Sequence, residues 1–326
     1  MVCLYVDDLL VTGSKESEIH KFKEKMQLEF EMSDMGELSY FLGIEFLRTE
    51  KGVFMSQKKY ALEVLKRFNL LDCNYVTTPV DCGIVLTKAD TGKAVDSTMY
   101  KQIVGSLRYL CCSRPEISYG VGLVSRFMEN PKESHFMAAK RILRYVKGTI
   151  DHGVLFPGRA YNLRSEMIGY VDADWCGDKD DKKSTTGFVF LCGDAPISWC
   201  SKKQPIVALS SCEAEYVAAS FGACQAVWLS MLLEEIGLKS SRVMKLLIDN
   251  KPAIDLAKYP VAHGRSKHIE TRFHFLRDQV SRGKLELEHF PIEEQLADLF
   301  TKPFKAERFS LLCKKLKILS LSSILI

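Results

Sequence analysis

Two groups of carboxylates stand where the surrounding pattern could aim them at a divalent cation. The first is Asp7-Asp8, framed by apolar runs on both sides. A hairpin with adjacent acids at its tip offers the hard oxygen ligands that magnesium takes. The second group is dispersed. Asp172 ends an apolar run in Tyr170-Val171-Asp172-Ala173-Asp174, Glu215 lies about one turn into a long helical stretch, Asp249 closes Leu247-Ile248-Asp249, and Asp298 falls in a later helical stretch. Acids at strand ends and helix starts along one sheet edge can converge on a point, and a fourth from the last helix can close the site. Like charges so close raise one another's pKa, and bound cations resolve the conflict. Two magnesium ions about 3.5–4 Å apart, or manganese in their place, would activate a water and stabilise a leaving oxygen in phosphodiester hydrolysis.

Two choices stay open on pattern. Ser210 and Glu213 form a capping box, which occupies Glu213 and favours Glu215 as the ligand. Asp172 and Asp174 point to the same side of a strand, so alternation cannot separate them.

The elements that must position these acids read as an α/β, mixed α+β chain. In the first half, strands are expected at 2–11, 38–47 and 52–55, with helices at 15–30, 58–68, 99–112 and 131–147. Residues 77–96 read as a long connection, and the glycines at 153 and 158 suggest a boundary. The second half reads as strands 167–172, 187–192 and 196–202, the last extended by 206–209. A long helix from Ser210 to Gly237 follows, then strand 243–248, a small helix opened by Pro252, a helix over 269–281, strand 285–290 and a final helix over 292–300. A hairpin meander passing to a helix and further strands implies a mixed sheet with helices on its faces.

The 326 residues suggest about two domains, and the net charge of +4 is too mild to mark a nucleic-acid binder by itself. The eleven cysteines form no Cys-x-x-Cys pair and no zinc spacing, so reduced thiols in an intracellular protein, cytoplasmic or nuclear, are expected. The apolar start has no basic residue before it and is not a signal peptide. No apolar run is expected to span a membrane.

Tyr5-Val6-Asp7-Asp8 in its apolar frame, followed by 36–45 (GELSYFLGIE), resembles the polymerase motif and the primer-gripping hairpin of copia-type reverse transcriptases. Lys183-Ser184-Thr185-Thr186-Gly187-Phe188, Ile197-Ser198-Trp199, Lys202-Lys203-Gln204, Ser210-Ser211-Cys212-Glu213-Ala214-Glu215-Tyr216 and Ser266-Lys267-His268-Ile269 follow in order. Together they resemble the ribonuclease H region of Ty1/copia retrotransposon Pol polyproteins, over nearly the whole chain. The resemblance implies a ribonuclease H-like mixed sheet with flanking helices, preceded by a truncated reverse-transcriptase palm and thumb. The expected division is palm at 1–75, helical thumb or connection at 76–160, ribonuclease H-like domain at 161–307 and a tail at 308–326. It further implies that Asp172, Glu215, Asp249 and Asp298 hold two magnesium ions and that the RNA strand of an RNA–DNA hybrid is cut. Asp7 and Asp8 become a vestigial polymerase pair, since polymerase chemistry needs a further aspartate on an earlier strand. The rest of a Pol polyprotein, supplied by another chain, is the implied partner. The rival expectation is a relic or binding module that keeps the fold without cutting. Phosphate and 2′-hydroxyl contacts need basic, hydroxyl and amide groups. Lys183, Ser184, Lys203, Gln204, Asn250, Arg265 and Lys267 are the candidates.

Overall fold

The computed structural model describes residues 1–158, 167–238, 243–259 and 271–325, with the backbone alone for 271 and 272. A hairpin opens the chain: β1 (Val2–Tyr5) pairs antiparallel with β2 (Asp8–Val11), Tyr5 opposite Asp8. Helix α1 (Glu16–Glu29) follows with no buried side chain. Then come β3 (Tyr40–Phe41), β4 (Ile44–Thr49), β5 (Gly52–Ser56), α2 (Lys58–Arg67), α3 (Ser97–Leu110), α4 (Ser118–Val124), α5 (Glu133–Gly148) and β6 (His152–Pro157). The second half holds β7 (Met167–Asp174), β8 (Thr185–Cys192), β9 (Ala195–Lys203), α6 (Ser211–Glu235), β10 (Met244–Ile248), α7 (Lys251–Lys258), α8 (Phe275–Ser281) and β11 (Leu285–His289). Two short 3-10 turns, Ile292–Glu294 and Leu296–Phe300, lead into α9 (Ala306–Lys315), β12 (Ile318–Ser320) and α10 (Leu321–Leu325).

Two five-stranded sheets result. One, ordered β12-β6-β5-β4-β3, is antiparallel throughout. The other, ordered β11-β10-β7-β8-β9, is mixed: β10 runs parallel to both neighbours, and β7-β8-β9 is an antiparallel meander. The mixed sheet is covered on both faces, and β8 shows why. Phe188 and Phe190 enter a core with α6, α7 and α8, whereas Val189 and Leu191 enter a core with α2 to α5 and α9. Period-two alternation thus feeds two cores from one strand.

The structure departs from the sequence expectations at several points. Residues 152–157 are strand β6 rather than a boundary, paired with β5 and β12. A Cβ on Gly153 would lie 2.2 Å from the Met55 carbonyl oxygen, so this glycine admits a close strand neighbour instead of breaking the chain. Helix α4 was not legible, because Gly120 and Gly122 weaken its helical signal. Residues 206–209 do not extend β9. The stretch expected as a final helix is two 3-10 turns, broken at Gln295 in extended conformation. Residues 306–320 are built into the first half, with Phe309, Leu312, Leu316 and Ile318 in its core. Helix α6 is long and apolar enough, by length and composition, to cross a membrane, contrary to expectation. Here it is the helix that packs on the mixed sheet, with Tyr216, Val217, Ala219 and Ala223 fully buried.

Candidate metal centre

Asp172 sits near the end of β7, 3% exposed, opposite Gly187 of β8. A Cβ on Gly187 would stand 2.6 Å from Thr301 Cγ2 and 2.9 Å from the Ala297 carbonyl oxygen. Glycine therefore lets the Leu296–Phe300 turn lie directly on β8, beside Asp172. The Thr301 hydroxyl then donates to Asp172 Oδ2. Gly222 plays the same part for α6: a Cβ there would be 2.8 Å from Val171 Cγ2. The close approach brings Glu215, about two helical turns earlier, to the backbone of Ala173, whose N–H donates to Glu215 Oε1 at 3.0 Å. Asp249 follows β10, whose Ile248 pairs with Val171. Gln295, fully buried, donates to the carbonyls of Val171 at 3.0 Å and Leu247 at 3.4 Å, tying the two strand ends that carry Asp172 and Asp249.

One carboxylate oxygen from each of Asp172, Glu215 and Asp249 lies within 4.8 Å of the others. Glu215 Oε2 is buried without a hydrogen-bond partner, a costly state for a carboxylate. Burial, followed by the charges of Asp172 and Asp249, pushes Glu215 well above the ordinary range. Burial and Asp172 raise Asp249. Asp298 is 3% exposed and lies outside that trio. Its Oδ1 is 2.7 Å from Lys302 Nζ, which is also 4.0 Å from Asp172 Oδ2. Burial, then Asp172, pushes Asp298 up to about 7 despite Lys302. Lys302 is itself raised, because Asp172 and Asp298 outweigh its burial. An all-oxygen donor set with an orphaned buried carboxylate oxygen suits a hard divalent cation.

Packing gives the members of the two open pairs different surroundings. Glu213 Oε2 accepts from the Leu209 N–H at 2.7 Å and its own N–H donates to Ser210 Oγ at 3.2 Å, so Glu213 caps the helix. Asp174 Oδ1 accepts from the N–H groups of Gly177 and Thr185 at 3.1 and 3.3 Å, holding the turn after β7. Asp7 and Asp8 are both exposed and belong to no cluster of three metal-binding side chains among the described residues.

The family description reverse transcriptase (RNA-dependent DNA polymerase) matches residues 1–82. The retrovirus-related Pol polyprotein of transposon RE1 from Arabidopsis thaliana is 42% identical over 97% of this chain and 21% of its own length. An uncharacterized mitochondrial protein of the same plant is 39% identical over 70% of this chain and 93% of its own. The chain belongs to the Ty1/copia-type Pol polyprotein family. This Pol segment spans about a fifth of the length of the curated polyproteins it matches. A solved structure of the foamy viral protease-reverse transcriptase in complex with RNA/DNA hybrid aligns with 93% of this chain and 37% of its own, at 14% identity and a TM-score of 0.48.

The residues expected to contact nucleic acid in this Pol segment lie in varied surroundings. Ser184 is fully buried and its hydroxyl accepts from the Cys176 N–H at 3.2 Å. Gln204 is buried and donates to Thr186 Oγ1 and the Ala214 carbonyl. Both serve the fold. Lys203 pairs with Asp178 at 2.6 Å and Asp181 at 2.8 Å. Asn250 caps α7, accepting from the Ala253 N–H at 3.0 Å. Lys183 is half-buried, and Arg265 and Lys267 lie outside the described residues. His289 ends β11 in register with Ile248, at the same sheet end as Asp249. Sequence reading missed Gln295, Thr301 and Lys302. The only available signal was the polar run Thr301-Lys302 directly after an apolar turn carrying Asp298.

Proposed function

We propose that the mixed sheet carries a divalent-metal nuclease centre that cuts the RNA strand of RNA–DNA hybrids. The observation that supports it is the convergence of Asp172, Glu215 and Asp249 from three separate elements, with Glu215 Oε2 left buried and unpartnered. Asp172, Glu215 and Asp249 would hold magnesium, or manganese, with Asp298 completing a two-ion set. When bound, such ions supply a lowered-pKa water and a stabilised leaving oxygen. The chain's own residues do the positioning. The Ala173 N–H holds one oxygen of Glu215, the Thr301 hydroxyl sets the orientation of Asp172, and Gln295 locks β7 to β10. Lys302 supplies a positive charge between Asp172 and Asp298. The hybrid as substrate rests on membership of the Pol family. No nucleotide transfer is proposed for Asp7 and Asp8, and the remaining polymerase parts of a Pol polyprotein are the expected partner.

The test is cleavage of a labelled RNA–DNA hybrid by the purified chain with and without magnesium. Single-stranded RNA and double-stranded DNA serve as controls. Metal-dependent cutting of the RNA strand in the hybrid alone is expected. Hybrid binding without cutting under magnesium or manganese would overturn the catalytic reading.

A further inference from the structure

We infer that Trp175 is a contact surface for the nucleic-acid strand that runs over the metal centre; this rests on the function proposed above. Trp175 follows the last residue of β7 and lies three residues beyond Asp172. Its side chain is 50% exposed, yet its indole Nε1–H donates to the Ala208 carbonyl at 3.0 Å. Ala208 is two residues before the Ser210 cap of α6, the helix that carries Glu215. The ring is therefore fastened between the two elements that supply Asp172 and Glu215, while half of it remains in water.

The turn beneath it is pinned. The Gly177 N–H donates to Asp174, and the Cys176 N–H donates to Ser184 Oγ, with Cys176 held at a φ of 58°. A large aromatic surface left in water is unfavourable unless something covers it. A fixed ring gives up little conformational freedom when covered. Trp228 is equally exposed, at 54%, but it lies in the C-terminal half of α6, remote in sequence from the acids. Position and fixation, rather than exposure, single out Trp175. At about 3.3 Å per strand residue, three residues span ~10 Å. A nucleic-acid strand rising ~3.4 Å per base covers that distance in about three nucleotides. A strand that runs along β7 from a phosphate at the acids thus brings a sugar about three nucleotides away to the indole. Every nucleotide offers a sugar, so the contact sets affinity and register without reading sequence.

The test uses the full chain. In an Asp249→Asn background, which binds without cutting in the reading above, hybrid should quench tryptophan fluorescence. Trp175→Phe should remove most of that quench and Trp228→Phe should not. In the chain with Asp249 intact, Trp175→Ala should raise KM for hybrid about tenfold with kcat within about threefold. Trp175→Phe, which keeps the ring and loses the hydrogen bond, should stay within about threefold in KM. A quench that survives Trp175→Phe, or an unchanged KM in Trp175→Ala, overturns the inference while leaving the nuclease reading intact. Equal losses in Phe and Ala variants would show a purely structural hydrogen bond and also overturn it. A chain that neither binds nor cuts hybrid overturns both.

Discussion

The Asp7-Asp8 hairpin and the Asp172–Glu215–Asp249 cluster begin as similar sequence signals, acids in apolar frames, and end as opposite structures. Around Asp7 and Asp8 the strands β1 and β2 pair only with each other, and Val2, Leu4, Tyr5 and Val6 are all exposed. Around Asp172 and Glu215, two glycines bring helix and turn onto the sheet, and burial raises Glu215, Asp249 and Asp298. The acids of the hairpin remain exposed to water. Those of the sheet edge are held together out of water, where ionisation favours a bound cation. A motif names candidate ligands, but the energy to bind a cation comes from the desolvation and crowding that tertiary packing imposes.

The largest effect that would sharpen this contrast is expected at the sheet edge. Asp249→Asn should lower hybrid cleavage by more than ~100-fold, with hybrid affinity nearly kept, because phosphate contacts come from basic groups elsewhere. Cleavage at the rate of the unmodified chain would remove Asp249 from the centre. Glu215→Gln should act alike.

The second effect is pH-dependent stability without divalent metal. Glu215, Asp249 and Asp298 have folded pKa values above their unfolded ones, Asp298 at about 7. The folded state therefore holds more protons than the unfolded state between about pH 4 and 7, and stability falls as pH rises through that window. Each carboxylate contributes a slope of up to about 1.4 kcal/mol per pH unit. Thermal melts in EDTA should show the decline, and added magnesium should oppose it at pH 7. A flat profile in EDTA would mean that the acids are not crowded.

Smaller still, Glu213→Gln should cost on the order of 1 kcal/mol through the weakened cap, with cleavage retained in the surviving folded protein. Denaturant melts paired with cleavage rates separate it from Glu215→Gln. The reverse pattern, cleavage lost in Glu213→Gln and kept in Glu215→Gln, would reassign the ligand. The smallest effect is expected at the hairpin. Asp7→Asn and Asp8→Asn should each change stability by less than about 0.5 kcal/mol, as exposed substitutions do, and leave hybrid cleavage unchanged. Templated primer extension by the chain, abolished by Asp7→Asn, would break the comparison outright.

Much of the mixed sheet was legible because its signals are local. Short apolar runs between tight turns mark β7 and β8, the Ser210 cap starts α6, and Gly237 at a φ of +76° ends it. Strand β6 was not legible, since Gly153 reads as a break until Met55 is seen against it. The burial of the nucleic-acid candidates Ser184 and Gln204 was not legible for the same reason. Their polarity suggested surface, but their hydrogen-bond partners lie inside the fold.

The sequence by itself determined the family and the strand and helix order from β7 to β11, because caps, apolar runs and motif order act within a few residues of one another. Only the tertiary structure brought Asp172, Glu215 and Asp249 together and left Asp298 outside that trio. Glu213 was drawn away by the helix cap and Asp174 by the turn after β7. It also brought in Gln295, Thr301 and Lys302, which touch the site through contacts spanning up to 129 residues of chain or through a turn whose path the sheet dictates. Such contacts depend on where two glycine-permitted approaches place a helix and a turn on one sheet, and that depends on how the backbones meet, which no local pattern encodes.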